Sequence, residues 1–387
     1  MKTTRLSALL LSLLLLLSAC GTKRQDTPDP APAPDPAPVT PQPVEKTPDE
    51  RIDDIIADMS LEEKVGQLFF VRCPETGAAE DVETYHLGGL LLFGRDYKDA
   101  SGEWLTEDDF TFSLASYQAA AAIPLFIGSD EEGGTVTRAS RNPNLFSAPL
   151  SSPQALYASL GMEGVLTETR RYNEALKALG INVNFAPVCD VSTNPDNFIY
   201  ARSFGQDAQT TADYIAQVVP AYEAAGVACV LKHFPGYGNN ADTHTGVAID
   251  ARPYTTFERS DLVPFESGIA AGAPFVLVSH NVVECMDSAY PASLSAKVHA
   301  LLRDTLSFSG IIVTDDLAMD AVKAYAQDGS AAVLAIQAGN DMVVTTDYRE
   351  QIPQVIAAVR NGEIAESEID AHVFRVLHEK QALGLID

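Results

Sequence analysis

Ala228-Cys229-Val230-Leu231-Lys232-His233-Phe234-Pro235-Gly236 is the stretch on which the fold turns. Its first four residues are apolar with no polar residue between them, and the run ends in a charged pair followed by Pro-Gly. A strand with one wet face alternates polar and apolar residues, whereas a strand covered on both faces reads as a continuous apolar run. Outward in both directions the same pattern recurs, bounded each time by turn residues: Leu68–Val71, Gly89–Phe93, Leu125–Ile127, Val183–Val188, Phe275–Val278, Ile311–Val313 and Met342–Val344. Amphipathic stretches at 163–179, 209–224, 296–306 and 350–361 separate several of them. Helical spacing also runs through Ile52, Ile55, Ile56 and Met59, and Ser60-Leu61-Glu62-Glu63 is a capping box that opens a further helix. Eight covered strands with helices between them predict an α/β fold, a single (β/α)8 TIM barrel, over residues 49–387. An open dinucleotide-binding sheet is the competitor, and no G-x-G-x-x-G follows an early strand to support it.

The first residues read differently. Lys2 and Arg5 precede the apolar run Leu6–Leu17, and Ser18-Ala19-Cys20 offers a small-residue cleavage site. A run of about a dozen residues, apolar but for Ser7 and Ser12, is short of the roughly 20 needed to span a bilayer. Residues 1–19 are therefore expected to be a signal peptide. Leu17-Ser18-Ala19-Cys20-Gly21 resembles a bacterial lipobox, which makes Cys20 the expected lipid-bearing residue of an exported, membrane-anchored lipoprotein. Residues 20–48 include Pro28-Asp29-Pro30-Ala31-Pro32-Ala33-Pro34-Asp35-Pro36 and lack the large apolar groups of a core. They predict a semi-rigid polyproline spacer.

A net charge of −27 argues against nucleic acid as a partner. Cys73, Cys189, Cys229 and Cys285 are scattered, with no C-x-x-C pair; Cys189 and Cys229 lie in apolar runs, as buried free thiols do. No metal-ligand spacing is present: His233 and His244 lack an H-E-x-x-H helix and a third ligand, so neither a metal nor an organic cofactor is expected.

In a TIM barrel the working groups sit where strands end. The third run ends in Gly128-Ser129-Asp130-Glu131-Glu132-Gly133-Gly134, with Arg138 eight residues after Asp130. A carboxylate and an arginine together accept from and donate to sugar hydroxyls; an acidic solvated turn is the alternative. Asp190 ends the fourth run as a ligand contact or a helix cap, and Arg202 follows on the next loop. The fifth run leads through Lys232 and His233 to Asp242-Thr243-His244. A carboxylate beside an imidazole orients it, fixes its tautomer and raises its pKa toward a working pH. The seventh run ends in Thr314-Asp315-Asp316. An acid at the mouth of an apolar strand is costly unless used or paired, so Asp315 is the better catalytic candidate, while Asp316 reads as a helix cap.

These elements together resemble glycoside hydrolase family 3, in particular its bacterial β-N-acetylglucosaminidase branch, from about Met59-Ser60-Leu61-Glu62-Glu63-Lys64-Val65-Gly66 to the C-terminus. The most specific element is Lys232-His233-Phe234-Pro235-Gly236 followed by Asp242-Thr243-His244. The resemblance implies Asp315 as nucleophile, His244 as acid/base and Asp242 as its support. It also implies that Asp130, Arg138, Arg202, Lys232 and His233 hold the sugar. The expected activity is then retaining, exo-acting hydrolysis of terminal β-linked N-acetylhexosamine by a monomer, on peptidoglycan- or chitin-type oligosaccharides. Two positions depart from the family pattern: Tyr237 stands where a second histidine is common, and Glu131 where a glutamine is typical. Other family activities (glucosidase, phosphorylase), a lipid-anchored sugar-binding protein without catalysis, and a metal-dependent hydrolase are the alternatives.

Overall fold

The computed structural model describes residues 46–238, 248–326 and 330–387. Each of the eight apolar runs overlaps a strand: β1 Phe69–Arg72, β2 Gly89–Leu92, β3 Phe126–Ser129, β4 Val183–Asn184, β5 Ala228–Phe234, β6 Phe275–Val278, β7 Ile311–Thr314 and β8 Val343–Thr345. Neighbours pair in parallel from β1 to β7, and β8 pairs with β1 at Phe69↔Val343. The remaining seam closes through a parallel bridge between Val313 and Met342, with the Met342 N–H donating to Ile312 O at 3.1 Å. A sheet closed in this way has no edge for another chain to pair with. The TIM barrel is the observed architecture.

Helix starts follow the chemistry read from the sequence. The Ser60 Oγ accepts the Glu63 N–H, and the Glu63 carboxylate accepts the Ser60 N–H at 2.7 Å, opening the helix Leu61–Gln67. The helix expected at 163–179 begins earlier, at Pro153, and bends at Gly161, whose φ of 66° lies outside the helical region. Pro153 suits a first helical position, since its missing N–H would have had no partner there. The segment 296–306 holds one α-helical stretch, Ala296–Ala300, which runs on into a wider turn over Leu301–Thr305.

Aromatic rings fill the barrel interior. The Phe70 ring meets Phe185 edge-on at 5.2 Å, and Phe126 meets Phe275 edge-on at 5.4 Å. Strands β3 and β6 are not neighbours, so the second contact crosses the lumen. Such pairs contribute about 0.5–1.5 kcal/mol beyond burial alone. Gly89 and Gly128 make the room: a Cβ on Gly128 would stand 2.7 Å from Phe70 and 2.8 Å from Phe185. Gly128→Ala is therefore expected to destabilise the fold by about 1–3 kcal/mol, read as a lower denaturant midpoint with an unchanged slope. Below the rings, the Lys380 ammonium lies over the Phe126 face and donates to Gln67 Oε1 at 2.6 Å, tying the C-terminal helix Glu366–Ala382 to the barrel floor. Cys73, Cys189 and Cys229 are buried free thiols, and Cys285 is an exposed one.

Candidate active site

At the carboxyl ends of the strands lies a pocket of about 280 Å³, and its wall includes Asp130, Arg138, Arg202, Lys232, His233 and Asp315. All five residues expected to hold the sugar and the expected nucleophile therefore line one cavity, above the aromatic layer. Asp242 and His244 lie outside the described residues, as does Cys20.

Strand β5 runs three residues further than its apolar part, to Phe234, so Lys232 and His233 are strand residues. Their pairing register with β6 shifts between Leu231 and Phe234. Irregularities of this kind re-aim side chains beside active sites. The Lys232 ammonium reaches Asp130 Oδ1 at 2.7 Å and Glu132 Oε1 at 2.6 Å. The Arg202 guanidinium grips Glu132 with two bonds, Nη2 to Oε1 at 2.7 Å and Nε to Oε2 at 3.0 Å. Burial alone would raise the Glu132 pKa, but Lys232 and Arg202 outweigh it and hold the carboxyl well below the ordinary glutamate range. Its contribution to stability is present above that range and is lost as pH falls through the depressed value.

The Arg202 Nη2 also donates to His233 Nε2 at 3.0 Å. Arginine has only donors, so Nε2 offers its lone pair and the ring hydrogen sits on Nδ1. That hydrogen goes to Asp190 Oδ2 at 2.8 Å. Asp190 also accepts the His233 N–H at 3.1 Å and the Tyr237 N–H at 2.7 Å. Asp190 is thus neither a helix cap nor a lining residue of the pocket; it orients His233. Tyr237 is buried with its ring edge-on to the His233 imidazole at 5.1 Å, which packs the turn where the family more often carries histidine.

Glu131 faces away from the pocket. Its carboxylate accepts the backbone N–H of Arg138 at 2.9 Å and of Ser140 at 3.3 Å, together with the Ser140 hydroxyl. Burial pushes its pKa up. It therefore shapes the loop that presents Arg138. The Arg138 side chain stands 3.8 Å from Asp130, completing a run of alternating charges from Arg138 through Asp130, Lys232 and Glu132 to Arg202.

Across the pocket, the Asp315 N–H donates to Val278 O at 3.1 Å, continuing the β6–β7 ladder, and Asp315 Oδ1 accepts the Asp316 N–H at 2.9 Å. The helix-cap reading of Asp316 is corrected: its Oδ1 accepts the Ala318 N–H two residues on, an Asx turn, and the following helix begins only at Asp320. Asp316 lines the pocket, and burial, followed by the charge of Asp315, raises its pKa. Two further site residues were not singled out from the sequence. Glu132 was visible only as one acid of three, and Arg72, at the end of β1, places its guanidinium 4.2 Å from the centre of the Phe93 ring.

Beneath the turn that follows β5, Arg252 binds Asp250 with two bonds and Asp261 with a third at 3.0 Å. Gly236 has a φ of 121°, and a Cβ there would stand 2.7 Å from Asp261. Burial pushes the Asp261 carboxyl up to about 6, against the pull of Arg252. A carboxyl raised above its unfolded value contributes stability that is present at low pH and is lost as pH rises through about 6. Asp261→Asn is expected to flatten the decline of unfolding free energy between the ordinary aspartate range, near pH 4, and about pH 6 by on the order of 2 kcal/mol, measured by urea unfolding at several pH values.

A strand-end nucleophile candidate facing a row of hydrogen-bonding charges in a one-sugar pocket defines a glycosidase-like site, and the chain belongs to glycosyl hydrolase family 3: residues 60–378 match the model of its N-terminal domain. It is a glycoside hydrolase of the TIM-barrel type. Among its relatives is the protein named beta-hexosaminidase LpqI of Mycobacterium tuberculosis, 33% identical over 336 residues, which cover 83% of each chain. A structure titled beta-N-acetylhexosaminidase, from Beutenbergia cavernae, superposes with a TM-score of 0.75 at 30% identity, covering 84% of this chain and 99% of that one. A family 3 beta-N-acetylglucosaminidase from Paenibacillus superposes at 0.77 with 32% identity, covering 84% of this chain; the match spans only 63% of the Paenibacillus chain.

Proposed function

We propose that the protein is a retaining, exo-acting β-N-acetylhexosaminidase that removes terminal β-linked N-acetylglucosamine. The observation that carries this reading is the placement of Asp315 across one small pocket from Asp130, Arg138, Arg202, Lys232 and His233. The charged row offers acceptors and donors to the hydroxyls of one sugar, and a pocket of about 280 Å³ suits a single terminal residue. The names of the relatives support the N-acetyl preference.

In this reading Asp315 attacks the anomeric carbon as His244 gives its proton to the departing oxygen. Water then displaces Asp315 from the glycosyl-enzyme, with His244 taking the proton and Asp242 orienting the imidazole. The chain works as a monomer, exported on residues 1–19 and tethered by acyl chains on Cys20 through the proline-rich spacer 20–48.

The test is a panel of nitrophenyl β-glycosides. The N-acetylglucosaminide should be hydrolysed faster than the N-acetylgalactosaminide or the glucoside, at a rate independent of added phosphate. Preference for the glucoside, or a requirement for phosphate, would overturn the assignment. Incorporation of labelled fatty acid in cells, abolished by Cys20→Ser, tests the anchor.

A further inference from the structure

His280, two residues beyond the end of β6, has no part in the chemistry above. Its side chain is fully buried and does not line the sugar pocket. A buried imidazole is costly to place unless its ring nitrogens are satisfied. Here Nε2 lies 3.0 Å from the Asp316 carbonyl oxygen, and Nδ1 lies 2.7 Å from Ser293 Oγ. A carbonyl only accepts, so Nε2 carries a hydrogen; in the neutral ring Nδ1 then accepts the Ser293 hydroxyl. Ser293 is itself anchored. Its N–H donates to Ser279 O at 3.0 Å, and its carbonyl accepts the Asn340 side-chain amide at 2.8 Å.

The carbonyl that His280 holds belongs to the residue after the proposed nucleophile. Both backbone groups of Asp316 are engaged. Its N–H donates to Asp315 Oδ1 at 2.9 Å, and its carbonyl accepts the Met319 N–H at 3.0 Å as well as His280 Nε2. The next N–H, that of Leu317, donates to Val344 O on β8 at 2.9 Å. The turn is therefore gripped by β8 on one side and, through His280, by the segment after β6 on the other. Rotating residue 316 would carry its N–H off Asp315 Oδ1 and let the carboxylate turn.

We propose that His280 is a positioning residue for Asp315: by holding the Asp316 carbonyl it keeps the Asp316 N–H on Oδ1 and so fixes the plane of the attacking carboxylate. The inference rests on the reading above, in which Asp315 is the nucleophile. Attack on an anomeric carbon needs a carboxylate oxygen aligned with the bond that breaks, and a misplacement of about 1 Å costs on the order of 10²-fold. The row from Arg138 to Arg202 holds the sugar from the other wall, so His280 should govern kcat and leave KM alone.

The experiment compares two amides in place of the imidazole. Glutamine carries its NH₂ to about the Nε2 position and can donate to the Asp316 carbonyl; asparagine is shorter, reaches the Nδ1 position and meets Ser293 but not that carbonyl. Each variant is assayed for kcat and KM on a nitrophenyl β-N-acetylglucosaminide. Each is also treated with a ring-fluorinated N-acetylglucosaminyl fluoride, from which Asp315 displaces fluoride and keeps the sugar; intact mass gives the rate of this trapping. His280→Asn should lower kcat and the trapping rate about 10²-fold, with KM near that of the parent. His280→Gln should recover most of the loss. Parent-like rates in His280→Asn, equal losses in both variants, or a loss confined to KM would overturn the role. Should neither variant fold, Ser293→Ala keeps the imidazole and removes its second support, and it should slow trapping in the same direction; trapping at the parent rate would overturn the proposal. Failure of the unaltered protein to cleave any β-N-acetylglucosaminide would instead remove the reading on which the role rests.

Discussion

Asp315→Asn is expected to lower kcat on a nitrophenyl β-N-acetylglucosaminide at least about 10³-fold while the protein stays folded. The amide is a poor nucleophile, but its Oδ1 can still accept the Asp316 N–H that Asp315 accepts at 2.9 Å. The backbone bond from residue 315 to Val278 O is unchanged by the substitution. Stability should move the other way from activity. Asp316 is buried beside Asp315, and burial and then the charge of that neighbour both push its carboxyl upward. Neutralising position 315 relieves the second of these, so the melting temperature of the variant should equal or exceed that of the parent. A variant that keeps its fold and its hydrolytic rate would show that another group is the nucleophile.

Glu132→Gln carries the largest expected cost to stability. One Glu132 oxygen accepts from both Lys232 and Arg202, and the other accepts from Arg202 Nε. Glutamine supplies one acceptor and turns an NH₂ toward a cation, leaving buried positive charge uncompensated. Removing one partner of such a buried pair costs about 3–5 kcal/mol. Typical domains hold only about 5–15 kcal/mol in total, so the denaturant midpoint should fall sharply. The same change frees Lys232 and Arg202 from their positions, and KM should rise in whatever fraction remains folded. A midpoint within error of the parent would show that the two cations find other partners.

The barrel was legible because covered parallel strands leave a local mark. Every one of the eight apolar runs overlaps a strand, since nothing beyond a handful of consecutive residues is needed to see that both faces are dry. The pocket was legible through the same rule one step later: Asp130, Lys232, His233 and Asp315 stand at strand ends. The roles of Arg138 and Arg202 came from the family pattern, and both residues lie on the pocket wall. The hidden part is what one strand end does to another. Glu132 meets Arg202 seventy positions away, and Asp190 meets His233 forty-three away, and no local spacing encodes either. Asp316 shows the opposite limit. An Asp after a strand caps a helix in many chains, but here the turn closes on Ala318 before a helix can form.

The row from Arg138 to Arg202 has a consequence for the conditions the enzyme tolerates. Its opposite charges compensate one another in place, and Lys232, Glu132 and most of Arg202 are shielded from mobile ions. Screening by salt acts strongly on exposed charges and weakly on buried pairs. In the proposed reading these residues hold the terminal sugar, so KM for a neutral substrate should change little as salt is added, which a salt titration of the kinetics would check.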